Sequence, residues 1–185
     1  MLALLVTISG FAKESKDIII RDARKTPLTI NNVKEGNLLT IKDTYGIILY
    51  KELIASNGRY QKGFDLTELP NGAYVFELEK DLEIKTIPFT VEENVVSFNK
   101  EFESTYFKPF VKQENNLIYV SKLNLSEEDT TINVYSKSNG IYTLSHTEKI
   151  ENAKVIEKAY KIKKGTYKIE IASKNEELFT TYINN

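Results

Sequence analysis

The sequence predicts an all-β chain built as two tandem antiparallel β-sandwiches. Three observations predict it: short runs that alternate apolar and polar residues, turn signals between those runs, and an internal repeat. In Thr166–Ile171, Tyr167, Ile169 and Ile171 fall on one face, with Thr166, Lys168 and Glu170 on the other. Tyr74, Phe76 and Leu78 alternate in the same way. Period two is the pattern of a strand with one wet face, as in antiparallel sheets. Asn139-Gly140 lies between the apolar runs Ile132–Ser136 and Ile141–Leu144, and both residues tolerate the positive φ of a tight hairpin. Asn57-Gly58 and Asn71-Gly72 mark two further turns. The stretch Lys149–Tyr160 comes nearest to an amphipathic helix, but its apolar stripe is short and its place in the repeat makes it a strand.

The repeat has one order of signals. The first copy runs Leu39-Ile41, Asp43-Thr44-Tyr45-Gly46, Ile48-Leu49-Tyr50, then Leu69-Pro70-Asn71-Gly72-Ala73-Tyr74. The second runs Ile132-Val134, Lys137-Ser138-Asn139-Gly140, Ile141-Tyr142-Thr143, then Ile162-Lys163-Lys164-Gly165-Thr166-Tyr167. Leu39 and Ile132 are 93 residues apart (132 − 39), as are Tyr74 and Tyr167 (167 − 74). Strands, turn and Gly-x-Tyr in one register indicate a duplicated unit. The expected units are residues 25–98 and 109–185, joined by a linker over 99–108. Phe102, Tyr106 and Phe107 in that linker predict that it packs between the domains, because units this small have marginal cores and a shared interface would help both.

Composition narrows the function classes. The 185 residues carry 25 basic and 26 acidic side chains, so no global field draws in nucleic acid or an anionic membrane. Cysteine is absent, which excludes disulfides and thiolate chemistry. Leu2–Ala12 is an uncharged, mostly apolar run of secretory length, too short to span a bilayer, and Gly10-Phe11-Ala12 supplies a small-x-small cleavage pattern. Residues 1–12 are therefore expected to be a signal peptide of a secreted, periplasmic or surface protein, although no Lys or Arg precedes Leu2. The alternative is an N-terminal strand or buried helix.

Leu69-Pro70-Asn71-Gly72-Ala73-Tyr74, coming after Asp43-Thr44-Tyr45-Gly46, resembles the small immunoglobulin-like domains of secreted Bacteroidetes proteins. The pattern is also similar to the C-terminal sorting domains of type IX secretion and to related domains of unknown function. The resemblance implies two immunoglobulin-like sandwiches. It does not extend to the Tyr-Pro-Asn-Pro-like opening or the basic tail of a sorting domain, since the second copy opens Leu117-Ile118-Tyr119-Val120 and the chain ends Tyr182-Ile183-Asn184-Asn185.

No residue pattern points to catalysis, a metal or a cofactor. His146 is the lone histidine, among polar neighbours, and lacks the context of a triad. The acidic clusters Glu92-Glu93, Glu127-Glu128-Asp129 and Glu176-Glu177 lack calcium-loop spacing. Asn124-Leu125-Ser126 is a glycosylation sequon. Gly46, Gly72, Gly140 and Gly165 read as turn residues, and Tyr74 and Tyr167 as tyrosine corners whose hydroxyls bond the backbone upstream, with ligand contact the alternative. Tyr45 and Tyr142, beside hairpins, are the candidate ligand-binding residues. The expected function is a non-catalytic exported structural, adhesive or protein-interaction module of the bacterial envelope, facing a protein or glycan surface. Carbohydrate-binding accessory and secretion sorting domains are the alternatives.

Overall fold

The computed structural model describes residues 18–174 and 178–185, so the expected signal peptide at residues 1–12 and the pair Glu176-Glu177 lie outside the described residues. Apart from two single 3-10 turns, Ala23–Lys25 and Lys100–Phe102, the regular elements described are strands, all paired antiparallel. The first sandwich contains β1 (Ile18–Asp22), β2 (Thr26–Val33), β3 (Leu38–Asp43), β4 (Ile48–Leu53) and β5 (Gly58–Phe64). It continues through β6 (Gly72–Glu79), β7 (Glu83–Glu92), β8 (Val95–Asn99) and β9 (Ser104–Phe107). Its large sheet has the order β1-β8-β7-β6-β3-β4, with β9 also paired to β7, and it faces the two-stranded sheet β2-β5. The second sandwich contains β10 (Phe110–Glu114), β11 (Leu117–Leu123), β12 (Thr130–Ser138), β13 (Ile141–Ile150), β14 (Val155–Lys161), β15 (Thr166–Ser173) and β16 (Phe179–Asn184). There a three-stranded sheet β10-β11-β14 faces the four-stranded sheet β13-β12-β15-β16. The chain is thus two tandem antiparallel sandwiches of immunoglobulin-like type.

Register reproduces the repeat. Leu39 pairs with Leu78 and Ile41 with Phe76 across β3 and β6; Ile132 pairs with Ile171 and Val134 with Ile169 across β12 and β15. Each residue in the second set lies 93 positions after its counterpart (171 − 78, 169 − 76). Even the bulge recurs: the β3–β4 register shifts between Ile41 and Lys42, and the β12–β13 register between Val134 and Tyr135. The hairpin chemistry is local. The Asp43 carboxylate accepts from the backbone N–H of Tyr45 and of Ile47, both at 2.9 Å, and Gly46 then takes a φ of 80°. Asn139 and Gly140 have φ of 50° and 84°, the positive pair that a two-residue hairpin needs.

Residues 99–108, expected as a linker, are tied to the first sandwich. Ser104–Phe107 forms β9 along the edge of β7, and β1 extends the same sheet beyond β8, so this sandwich spans more than residues 25–98. The cause is non-local: β8 covers only Phe89–Glu92 of β7 and leaves Glu83–Thr86 to be paired by β9. Only Lys108 and Pro109 separate β9 from β10. Pro109 is buried, and the Lys108 ammonium binds Glu79 at 2.8 Å and the Lys80 carbonyl at 2.9 Å.

The two cores differ in content. In the first, fully buried Phe76 lies 4.8 Å from the Phe89 ring and 5.0 Å from the Phe64 ring, with Phe98 at 6.3 Å. In the second, the equivalent position is Ile169, amid Ile118, Ile132, Ile156 and Ile171. An aromatic side chain removes more apolar area from water than an isoleucine, so the first sandwich is expected to be the more stable. Hydrogen exchange under rising urea is expected to expose β11, β12 and β15 before β3, β6 and β7. Simultaneous exposure would show that the sandwiches unfold as one unit.

Candidate functional site

Both sandwiches carry the same side-chain clasp where β4 meets β5 and where β13 meets β14, at the open edge between the sheets. In the first, the Lys62 ammonium binds the Glu52 carboxylate at 2.6 Å and the Tyr50 hydroxyl at 2.7 Å. The Tyr50 and Tyr60 hydroxyls also donate to Glu52. In the second, Glu148 is bound by Lys158 and accepts from the Tyr160 hydroxyl at 2.8 Å, and the His146 ring lies 5.3 Å from that of Tyr160. Glu52 is held below the usual carboxylate range by the hydrogen bond from Lys62 and then by that from Tyr50; Glu148 is lowered likewise by Lys158 and Tyr160. Burial pushes the Tyr60 and Tyr160 hydroxyls well up. A glutamate saturated by donors is a poor general base, and the arrangement closes the sandwich edge. The sequence carries it as a common offset of 96 residues (148 − 52 and 158 − 62).

The Gly-x-Tyr elements also lead to backbone. The Tyr74 hydroxyl donates to the Pro70 carbonyl at 2.8 Å, and Tyr167 donates to the Lys163 carbonyl at 3.0 Å while accepting from the Lys163 N–H at 3.1 Å. Each ring lies over its glycine: a Cβ added at Gly72 or Gly165 would sit 3.7 or 3.8 Å from the tyrosine ring. Tyr167 also lines an open cavity of about 590 Å³ at the edge of the second sandwich, together with Val134, His146 and Tyr160.

The outer face of β13-β12-β15-β16 is different. Tyr135 on β12 pairs with Lys168 on β15, and Lys168 pairs with Tyr182 on β16, so the three stand in one row. Tyr142, on edge strand β13, leans across this row to bring its ring centroid 5.8 Å from that of Tyr182, at an interplanar angle of 54°. The Lys168 ammonium sits 4.1 Å above the Tyr135 ring and 5.8 Å from Tyr142, while Lys137 lies 5.3 Å from Tyr142. Lys168 also binds Glu170 at 2.6 Å. That bond holds Glu170 below, and Lys168 above, their ordinary values, and Tyr135 is raised chiefly by its own hydrogen bond to Glu170. The equivalent positions on the first sandwich, at the 93-residue offset, are Lys42, Val75 and Glu77, with Pro88 paired to Val75 where Tyr182 pairs with Lys168. Glu77 keeps a lysine partner, Lys42, but no tyrosine is present.

The other sequence candidates are dispersed. Tyr45 is 89% exposed in the β3–β4 turn, on the other sandwich from Tyr142. His146 is exposed and belongs to β13. Asn124 is buried, and its amide donates to the Glu128 and Ala153 carbonyls at 2.8 and 2.9 Å, which removes the sequon from solvent in the folded chain. Glu127 binds Lys154 and Asp129 binds Lys149. Among the described residues no group of three or more His, Cys, Asp or Glu is placed to hold a metal. Tyr182 and Lys168 sit at outward positions of alternating strands, and that alternation is their signal in the sequence.

No known protein-family model matches the chain, and no curated protein matches it. Solved structures that it resembles include a two-domain fibronectin type III segment of chicken tenascin, at 12% identity over 92% of this chain and 98% of that one, with a TM-score of 0.32. The chicken interferon gamma receptor alpha chain aligns at 11% identity over 92% and 98% of the two chains, with a TM-score of 0.30. A BSP domain of a biofilm-associated protein aligns at 10% identity over 89% of this chain and 28% of that one, with a TM-score of 0.27. The fold assignment rests on the strand order itself.

Two outcomes are expected. Replacing Tyr167 by Phe removes two hydrogen bonds to Lys163, whose N–H loses its acceptor while its carbonyl keeps the Asn185 amide, and should cost about 1–2 kcal/mol in urea unfolding, more than Tyr74→Phe, which removes one. Glu52 and Glu148 have folded pKa values below the ordinary 4.5, so their contribution is complete above that pH and is lost as pH falls through the folded values. The variant Glu52→Gln/Glu148→Gln should therefore flatten the acid limb of a stability-against-pH curve; an unchanged limb would show that the clasp adds nothing.

Proposed function

We propose that the chain is a non-catalytic, exported adhesive or protein-interaction module of the bacterial envelope, which meets its partner through the Tyr135, Tyr142 and Tyr182 face of the second sandwich. The carrying observation is the comparison of the two copies. The corner, the bulge and the edge clasp occur in both and serve the fold, whereas the tyrosine and lysine face occurs in one. Tyrosines are rigid, amphipathic contact residues, and lysines poised over their rings add charge at a place with no enclosed cleft. The apolar Leu2–Ala12 run supports export, and no helix among the described residues is long and apolar enough to cross a membrane. The nearly balanced charge disfavours nucleic acid. A protein partner is preferred to a glycan because the Tyr142 and Tyr182 rings are tilted by 54° and do not form a coplanar platform for sugar rings.

Full-length chain printed against envelope and extracellular-matrix proteins, with a glycan array in parallel, tests the reading. A protein ligand should bind the parent and be weakened about tenfold or more by Tyr142→Ala/Tyr182→Ala. A glycan hit lost in that variant would establish the carbohydrate-binding alternative instead. Turnover of any hydrolase substrate would overturn the non-catalytic reading.

A further inference from the structure

The two copies also differ at the outer edge of the smaller sheet. In the second sandwich β11 is bonded on both sides, to β14 and to β10. The strand equivalent to β11 in the first sandwich is β2, and β5 corresponds to β14. The bond that closes each pair recurs, from the Leu66 N–H to the Ala23 carbonyl at 2.8 Å and from the Ile162 N–H to the Asn116 carbonyl at 2.9 Å. Yet β2 is paired only with β5 among the described residues. The strand that should lie beside it, β1, crosses at buried Ala23 to the opposite sheet and pairs with β8. β1 and β2 therefore diverge from the Ala23–Lys25 turn, one into each sheet. A groove of about 280 Å³ opens between them. Its apolar lining includes Ile19, Leu28, Ile87 and Phe98, and its rim carries Arg21 and Lys100. The carboxylate that also lines it, Glu103, is bound to Lys85 at 3.1 Å.

We propose that this groove is a strand-insertion site for an extended segment of a partner protein, with apolar residues at alternate positions and acidic residues between them. An edge strand offers unpaired N–H and C=O groups as a template for another chain. The period of two sends every second side chain of an inserted strand to the apolar floor. The second sandwich shows the same arrangement filled: β10 turns Val111 towards the core and leaves Phe110, Lys112 and Glu114 exposed. The excess of cations at the rim selects acidic residues at the intervening positions. The site lies on the first sandwich and is independent of the tyrosine face, so each can fail alone.

The test uses the full chain and a fluorescein-labelled peptide of sequence Asp-Val-Glu-Val-Thr-Val-Glu, with a scrambled control and a version in which lysine replaces each acid. The acidic peptide should bind, with hydrogen-exchange protection appearing at Thr26–Val33 of β2. The surface variant Arg21→Glu/Lys100→Glu should weaken the acidic peptide about tenfold and strengthen the lysine version, without changing the melting temperature. No binding at about millimolar peptide would overturn the proposal. So would equal binding of the scrambled control, or protection confined to the edge strands β4 or β16. A concentration-dependent dimer that protects β2 without peptide would identify the groove as a contact between copies, which also overturns it.

Discussion

Both halves of the chain depend on one strand pairing, β3 with β6 and β12 with β15. A slip of one residue would turn the inward set of the slipped strand, Leu39 and Ile41 or Phe76 and Leu78 in the first copy, Ile132 and Val134 or Ile169 and Ile171 in the second, from the interior to water. Each pairing ends at the corner tyrosine, with Asp43 opposite Tyr74 and Ser136 opposite Tyr167. The hydroxyl bond of that tyrosine to the backbone four residues upstream fixes where the strand enters the sheet. The bulge one step away then turns the next strand, so that Tyr50 and His146 point to the same edge clasp in their respective copies. Register, corner, bulge and clasp form one chain of consequences.

The duplication makes each sandwich a control for the other. Features retained in both, with few residue identities in common, are those the architecture demands. Glu52 and Glu148 keep a lysine and a tyrosine hydroxyl although their aromatic neighbours change from Tyr50 and Phe64 to His146 and Tyr160. Features present once are free of that demand. A row of tyrosines interleaved with Lys168 is not required to hold a sheet of this size, because Lys42, Val75 and Glu77 suffice at the same places. A second neighbour for β2, which has only β5 among the described residues, is likewise not required, because the first core is completed by Val96 and Phe98 of β8.

What could be read from sequence was local or periodic. The alternating strands, the Asn139-Gly140 and Asp43–Gly46 turns and the two Gly-x-Tyr elements all announce themselves within a few residues. What could not be read was non-local. Ile18-Ile19-Ile20 has no alternation, so nothing in it indicates pairing with Ser97 and Phe98, almost eighty residues away. Ser104–Phe107 looks like a connector until β8 is seen to leave half of β7 uncovered. Tyr45 and Tyr142 each stand beside a hairpin, but hairpin adjacency does not say which face or which sandwich a ring joins. The partner of Tyr142 is Tyr182, three strands away in the sheet order.

The connector decides how the two surfaces can be used. A flexible linker would let each sandwich find its partner separately, at the cost of a low effective concentration for the second contact. Here β9 is bonded to β7 up to Phe107, and β10 begins at Phe110. Lys108 is held by its backbone N–H on the Leu82 carbonyl and by its ammonium on Glu79, and buried Pro109 has its φ fixed by its ring. With so little slack, the conformational entropy lost on engaging both surfaces at once is already largely spent in folding. The short, bonded connector therefore limits the slack between the proposed groove and the proposed tyrosine face.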